Sequence, residues 1–188
     1  DRNVARFSDY CVAPGDGAEG AMPLASEGGP ELRDVVVLFA HGDSSPELAW
    51  QGDEPVSWSC APEALPRYWK RNEDLDFQVI APNGSRVNTS FTPDMLEGGD
   101  TEAAPRPYTC AGGQLTPFGF RSMAALGRHL ANAYGDHLTS ADKLHVESVN
   151  AKRSLASAVG VVMALLTTPR AHELFPAGAA LPIRLRPE

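Results

Sequence analysis

Asp34-Val-Val-Val-Leu-Phe-Ala-His-Gly-Asp-Ser-Ser-Pro46 is the stretch on which the reading of this chain turns. The apolar run Val35 to Phe39 is too short for a buried helix and rich in β-branched residues, so it predicts a central strand. Ala40 to Pro46 then supplies turn residues. In open α/β sheets, ligands bind beyond the carboxyl ends of the strands, which puts His41 where chemistry is commonly done. A histidine that is only a polar turn residue is the competing reading.

The elements downstream fit the same architecture. Thr116 is a good N-cap with Pro117 at the first helical position, and Met123, Leu126, Leu130 and Tyr134 follow at helical spacing until Gly135. Lys143 to Val149 alternates as a strand, with Leu144, Val146 and Ser148 on one face and His145, Glu147 and Val149 on the other. Asn150 is the expected cap of a helix from Ala151 to Leu166, whose Leu155, Val159, Val162 and Leu166 share a face, and Thr167-Thr168-Pro169 stops it. Pro182 to Leu185 starts a further strand. This order predicts α/β with a largely parallel sheet flanked by helices.

Two regions lie outside that pattern. Residues 1–33 are rich in Gly, Ala, Pro and acidic side chains and read as an irregular arm, ahead of a domain spanning 34–188. Residues 47–110 form an excursion, or cap, inserted after the first strand. It carries Trp50, Trp58 and Trp69, the turn Gly98-Gly99-Asp100, and short strand candidates at Phe77, Val79 and Val87. Such excursions commonly roof an active site.

Bulk properties narrow the function classes. The 188 residues, 43% hydrophobic and 21% charged, suit one folding unit. A net charge of −8 argues against nucleic acid. The longest apolar run, Ala156 to Leu166, is far short of the roughly twenty residues of a membrane span. Asn83-Gly84-Ser85 and Asn88-Thr89-Ser90 match the N-glycosylation acceptor pattern, and two such matches in one polar stretch point to a secreted, extracellular or lumenal protein. Cys11, Cys60 and Cys110 are spaced too widely for a zinc framework. In an oxidising compartment Cys60 and Cys110 would close the segment between them and leave Cys11 for another partner; three buried thiols are the alternative.

Three islands, in order, resemble the histidine acid phosphatase family of the phosphoglycerate-mutase-like superfamily, which works through a phosphohistidine. They are Phe39-Ala-His-Gly-Asp-Ser-Ser-Pro46; Gly113-Gln-Leu-Thr-Pro-Phe-Gly119 with Leu126-Gly-Arg-His-Leu130 and Tyr134; and Val146-Glu-Ser-Val-Asn-Ala-Lys-Arg-Ser-Leu-Ala-Ser157. The family patterns are Arg-His-Gly-x-Arg-x-Pro, Gly-x-Leu-Thr-x-x-Gly and Arg-Ser-Thr-x-x-x-Arg-Thr-x-x-Ser. Cys110 before the second island and Trp58-Ser-Cys-Ala-Pro-Glu63 look most like the branch that dephosphorylates 2-phosphoxylose. The likeness covers roughly the last four fifths of the chain.

The resemblance implies that His41 stands at the nucleophile position and that Gly42, Pro46, Gly113, Leu115, Thr116, Gly119, Arg153 and Ser157 match the family. The phosphate-binding arginines, however, are replaced by Ala40, Ser44 and Glu147. Phosphoryl transfer depends on cations around the equatorial oxygens. A carboxylate about 4 Å from the phosphate would cost roughly 4 kcal/mol at an effective dielectric near 20. The family's later His-Asp general acid has no counterpart, since His172-Glu173 comes too early.

The expectation is therefore a pseudophosphatase with a binding or assembly role. Its partner would be another protein chain or a C-terminal half of the family fold, and it would have no cofactor. An active phosphomonoesterase using His41 and a glycan binder under the tryptophan-bearing cap are the alternatives. A metal held by His41, Asp43 and Glu147 is a weaker one. His129, His137, His145 and His172 are expected to be solvent-facing or capping imidazoles.

Overall fold

The computed structural model describes residues 32–46, 60, 75–87, 110, 112–176 and 178–187. The arm up to residue 31, Cys11, the three tryptophans, Gly98-Gly99-Asp100 and Asn88 lie outside the described residues.

A four-stranded open sheet forms the frame. In chain order the strands are β1 (Asp76–Ile80), β2 (Arg86–Val87), β3 (Val146–Ser148) and β4 (Ala180–Leu185), and in space β2-β1-β4-β3. The pairs β1–β4 and β3–β4 are parallel, and the hairpin pair β1–β2 is antiparallel. The α/β class with a largely parallel sheet is thus seen. The helices are α1 (Pro117–Tyr134), α2 (Lys152–Leu165) and the short α3 (Pro169–Leu174), with single 3₁₀ turns at Gly135–His137 and Ala141–Lys143.

Strand β4 shows why the sheet has one greasy side. Its residues alternate strictly, with Leu181, Ile183 and Leu185 buried and Ala180, Pro182 and Arg184 exposed. The inward side chains meet Leu155, Val159 and Met163 of α2 together with Val79 of β1, while Leu181 packs with Val162, Leu166, Ala171 and Phe175 toward α3. At about 25 cal/mol per Å² of buried apolar surface, each such side chain contributes roughly 1.5–3 kcal/mol.

Helix α1 begins and ends where its sequence signals stand. The Thr116 hydroxyl accepts from the Gly119 amide at 3.0 Å, Pro117 occupies the first turn and Gly135 closes the helix. Its packing face differs from the expected one. The buried stripe is Phe120, Ala124, Gly127 and Ala131, whereas Met123, Leu126, Leu130 and Tyr134 are only half-buried. The cause is close approach to α2: a Cβ on Gly127 would fall 2.1 Å from the Val161 carbonyl oxygen. Small residues therefore win the interface over large ones.

Helix α2 is buried nearly all round from Leu155 to Ala164, because α1 covers one side and the sheet the other. Asn150 does not cap it; Ala151 holds the N-cap position and makes no side-chain cap bond. Thr168-Pro169 both stops the preceding helix and starts α3, with the Thr168 hydroxyl accepting from the Ala171 amide at 3.2 Å.

One expectation about strands is corrected and another is met. Val35 to Phe39 is not a central strand: no described strand pairs with it, and all five side chains are exposed. They still alternate. Val36 and Leu38 are over 80% exposed, while Val35, Val37 and Phe39 are near 40%. An apolar run signals extended backbone, but whether it enters a sheet depends on neighbours on both sides, which its own sequence does not specify. The short strands expected at Phe77, Val79 and Val87 are present, as β1 and β2. The parallel pairing of β1 with β4 ties the 47–110 excursion into the main sheet.

Cys60 and Cys110 form a disulfide, with Cα atoms 5.0 Å apart and a sequence separation of 50. Cys60 is buried, and its sulfur lies 3.9 Å from the Leu115 carbonyl oxygen. That contact is packing, since a disulfide sulfur has no proton to donate. No described helix is long and apolar enough to cross a membrane.

Candidate functional site

The segment from His41 to Pro46 is fixed by backbone contacts with the turn that precedes α1. Ser45 donates its amide to the Gln114 carbonyl at 2.8 Å, Thr116 donates to the Asp43 carbonyl at 2.9 Å, and Gly113 donates to the Pro46 carbonyl at 3.2 Å. Ser44 faces Leu115 in an isolated antiparallel bridge. The Ser45 hydroxyl accepts from the Gln114 amide at 3.0 Å. Each bond satisfies a main-chain group that a loop would otherwise bury unpaired.

Glycines permit the approach. A Cβ on Gly42 would sit 2.5 Å from the Gly119 carbonyl oxygen, and one on Gly119 would sit 2.1 Å from that of Asp43. The His41 loop and the first turn of α1 touch through bare backbone, so neither position accepts a side chain. Helix α2 supplies the third support: the Gly42 amide donates to the Ser157 hydroxyl at 3.1 Å, and that hydroxyl donates to the Arg153 carbonyl at 2.7 Å. Ser157 is fully buried. The sequence islands 39–46, 113–119 and 146–157 thus converge on Gly42.

His41 itself is exposed. Its Nδ1 lies 2.7 Å from the Gly42 carbonyl oxygen. In the tautomer that carries the proton on Nδ1, this atom donates to the carbonyl and Nε2 keeps a free lone pair. Such an imidazole is arranged to act as a nucleophile or to accept a proton.

One carboxylate stands close to it in sequence. Asp43 accepts a hydrogen bond from the Thr116 hydroxyl at 2.7 Å. Thr116 thereby caps α1 with its oxygen and holds a carboxylate beside the first turn, where the helix dipole favours negative charge. Sequence reasoning missed this pair, although Thr-Pro at a helix start with a nearby Asp is a readable signal. Ala40 is exposed and offers only a methyl, and Ser44 is engaged with Leu115 through its backbone. Arg153 sits one turn before Ser157 on α2, half-buried.

Glu147 has a charge partner of its own. It lies in β3 and forms an ion pair with Arg186, Nε to carboxylate 2.8 Å, with both side chains at least half exposed. The repulsion expected of an uncompensated carboxylate is therefore reduced by a guanidinium just past β4, and solvent screens what is left. No bond joins Glu147 to His41, Asp43 or Ser157 among the described residues. Among these residues no group of three His, Cys, Asp and Glu side chains is placed to hold a metal ion, so His41, Asp43 and Glu147 do not form such a set.

The other histidines divide. His129 is buried on α1, contrary to the expectation of a solvent-facing ring, because it falls on the helix flank that turns inward beside Ala131 and Ala133. His137 is half-buried, and its Nε2 is enclosed with no hydrogen-bond partner among the described residues. His145 is exposed, 3.5 Å from the Arg184 guanidinium, and His172 is exposed in the last turn of α3.

Comparison of the chain with protein-family models, curated proteins and solved structures found no match.

Proposed function

We propose that this chain is a histidine-acid-phosphatase-like pseudoenzyme, a protein that keeps the backbone frame of a phosphohistidine site and uses the fold for binding or assembly. The supporting observation is the contrast at one loop. The backbone beside His41 is tied down, with Gly42 held by Ser157 and packed on Gly119. The cation positions beside it carry the Ala40 methyl and the Ser44 hydroxyl. A phosphate dianion there would find the Asp43 carboxylate and no bidentate arginine at either position, so the electrostatic stabilisation that phosphoryl transfer requires is missing.

The binding role is supported by the segment leading into the site. Val36 and Leu38 present an apolar, extended surface to solvent beside His41, and such contiguous exposure usually marks an interaction surface. A protein partner in a secretory or extracellular setting fits both this surface and the Cys60–Cys110 disulfide.

An active phosphomonoesterase is favoured by one specific observation, the His41 Nδ1 to Gly42 carbonyl contact, which would leave Nε2 ready to attack phosphorus. Hydrolysis of an aryl phosphate separates the two readings. The pseudoenzyme turns over no faster than its His41→Ala variant; a rate clearly above that variant establishes the phosphomonoesterase.

A further inference from the structure

The β1–β2 hairpin carries chemistry that the His41 site does not use. Its turn, residues 81–85, is held by bonds among its own residues: Ala81 donates its amide to the Ser85 carbonyl and Gly84 donates to the Ala81 carbonyl, each at 2.9 Å. Within it, the Asn83 side-chain oxygen accepts from the Ser85 amide at 3.0 Å and from the Ser85 hydroxyl at 2.7 Å. The Asn83 amide nitrogen makes no hydrogen bond among the described residues, and residues 82–87 are all exposed. Gly84 has φ +82°, and a Cβ there would meet nothing within 4 Å. Left-handed backbone explains a glycine between the two polar residues, and the open space leaves the turn approachable from outside.

We infer that Asn83 is an N-glycosylation site whose acceptor geometry is built into the hairpin. The tripeptide pattern is common by chance. Three features of the fold raise this instance above the pattern. The asparagine stands at an exposed hairpin tip, both of its side-chain oxygen contacts come from the serine two residues on, and the same chain has a disulfide fit for the compartment where glycan transfer occurs. Bonds from Ser85 to the amide oxygen polarise the group and leave the nitrogen facing solvent.

The reaction balances without oxidation or reduction. The Asn83 Nδ2 forms a bond to the anomeric carbon of an oligosaccharide carried on a polyprenyl diphosphate. The bond from that carbon to the diphosphate oxygen breaks with its electron pair, and the nitrogen gives one proton to a base of the transferase. The product places a bulky polar group at the outer end of the sheet, beside the two-residue edge strand β2. An exposed edge is a template for unwanted strand addition, and the glycan shields it. The inference is independent of the phosphohistidine reading.

The test is site mapping on the full chain expressed through the secretory pathway of a eukaryotic cell, with glycans removed by peptide N-glycosidase in heavy-oxygen water. The inference expects heavy-oxygen aspartate at position 83. It also expects loss of one glycan in Asn83→Gln and in Ser85→Ala, and retention in Ser85→Thr. Unmodified asparagine at 83 in molecules whose Cys60–Cys110 disulfide has formed would overturn it. So would aspartate lacking the heavy label, the mark of spontaneous deamidation through the Gly84 nitrogen.

Discussion

The Gly42 amide donates to the Ser157 hydroxyl at 3.1 Å across 115 residues of sequence, joining the His41 loop to the core helix α2. Ser157 is fully buried, so this bond cannot be exchanged for one to water. Ser157→Ala leaves a buried amide unpaired and lowers stability by about 1–3 kcal/mol. The urea midpoint of unfolding reads the change; an unaltered midpoint would show that the loop is held by its contacts with residues 113–119 alone.

Gly127→Ala sets two effects of opposite sign against each other. On a free helix surface the change gains roughly 0.5–1 kcal/mol in helix propensity. Here the new methyl would lie 2.1 Å from the Val161 carbonyl oxygen, and neither backbone can yield without separating α1 from α2. Overpacking of this kind costs about 1–3 kcal/mol or more, so the variant melts lower than the parent by thermal denaturation. A raised melting temperature would contradict the close helix contact.

Reduction of the Cys60–Cys110 disulfide, or its replacement by Cys60→Ala with Cys110→Ala, removes the closure of a loop with a sequence separation of 50. In the chain-entropy model such a loop is worth about 4 kcal/mol. Chemical denaturation with and without reductant measures it, and equal midpoints would mean that the two sulfurs are not joined in the folded chain.

Charge placed on the exposed apolar run should affect partners and spare the fold. Val36→Asp with Leu38→Asp alters two side chains that are over 80% exposed. Surface changes of this type shift stability by no more than about 0.5 kcal/mol. Light scattering should show less self-association or partner association at unchanged melting temperature. A large loss of stability would instead place the run inside a sheet.

How much was readable in the sequence follows from where the physical signals are local. The start and end of α1 were legible because Thr116, Pro117 and Gly135 act on their own neighbours, and the alternation of Leu144, Val146 and Ser148 gave the site of β3. The packing face of α1 was not, because it is set by the approach of Val161 from another helix. Val35 to Phe39 has the composition of a core strand, yet pairing is a property of its neighbours. At the site, the three islands that meet at Gly42 stood out in the sequence, but their meeting point did not. The ion pair of Glu147 with Arg186 was invisible, since it joins β3 to a residue 39 positions later.

The central claim is that the frame around His41 survives without the means to transfer phosphate. Intact-mass analysis after incubation with a small phosphomonoester and quenching at alkaline pH, where a phosphohistidine endures, tests it most directly. The account predicts no phosphoryl adduct on the parent chain. An adduct that maps to His41 and disappears in His41→Ala would contradict it.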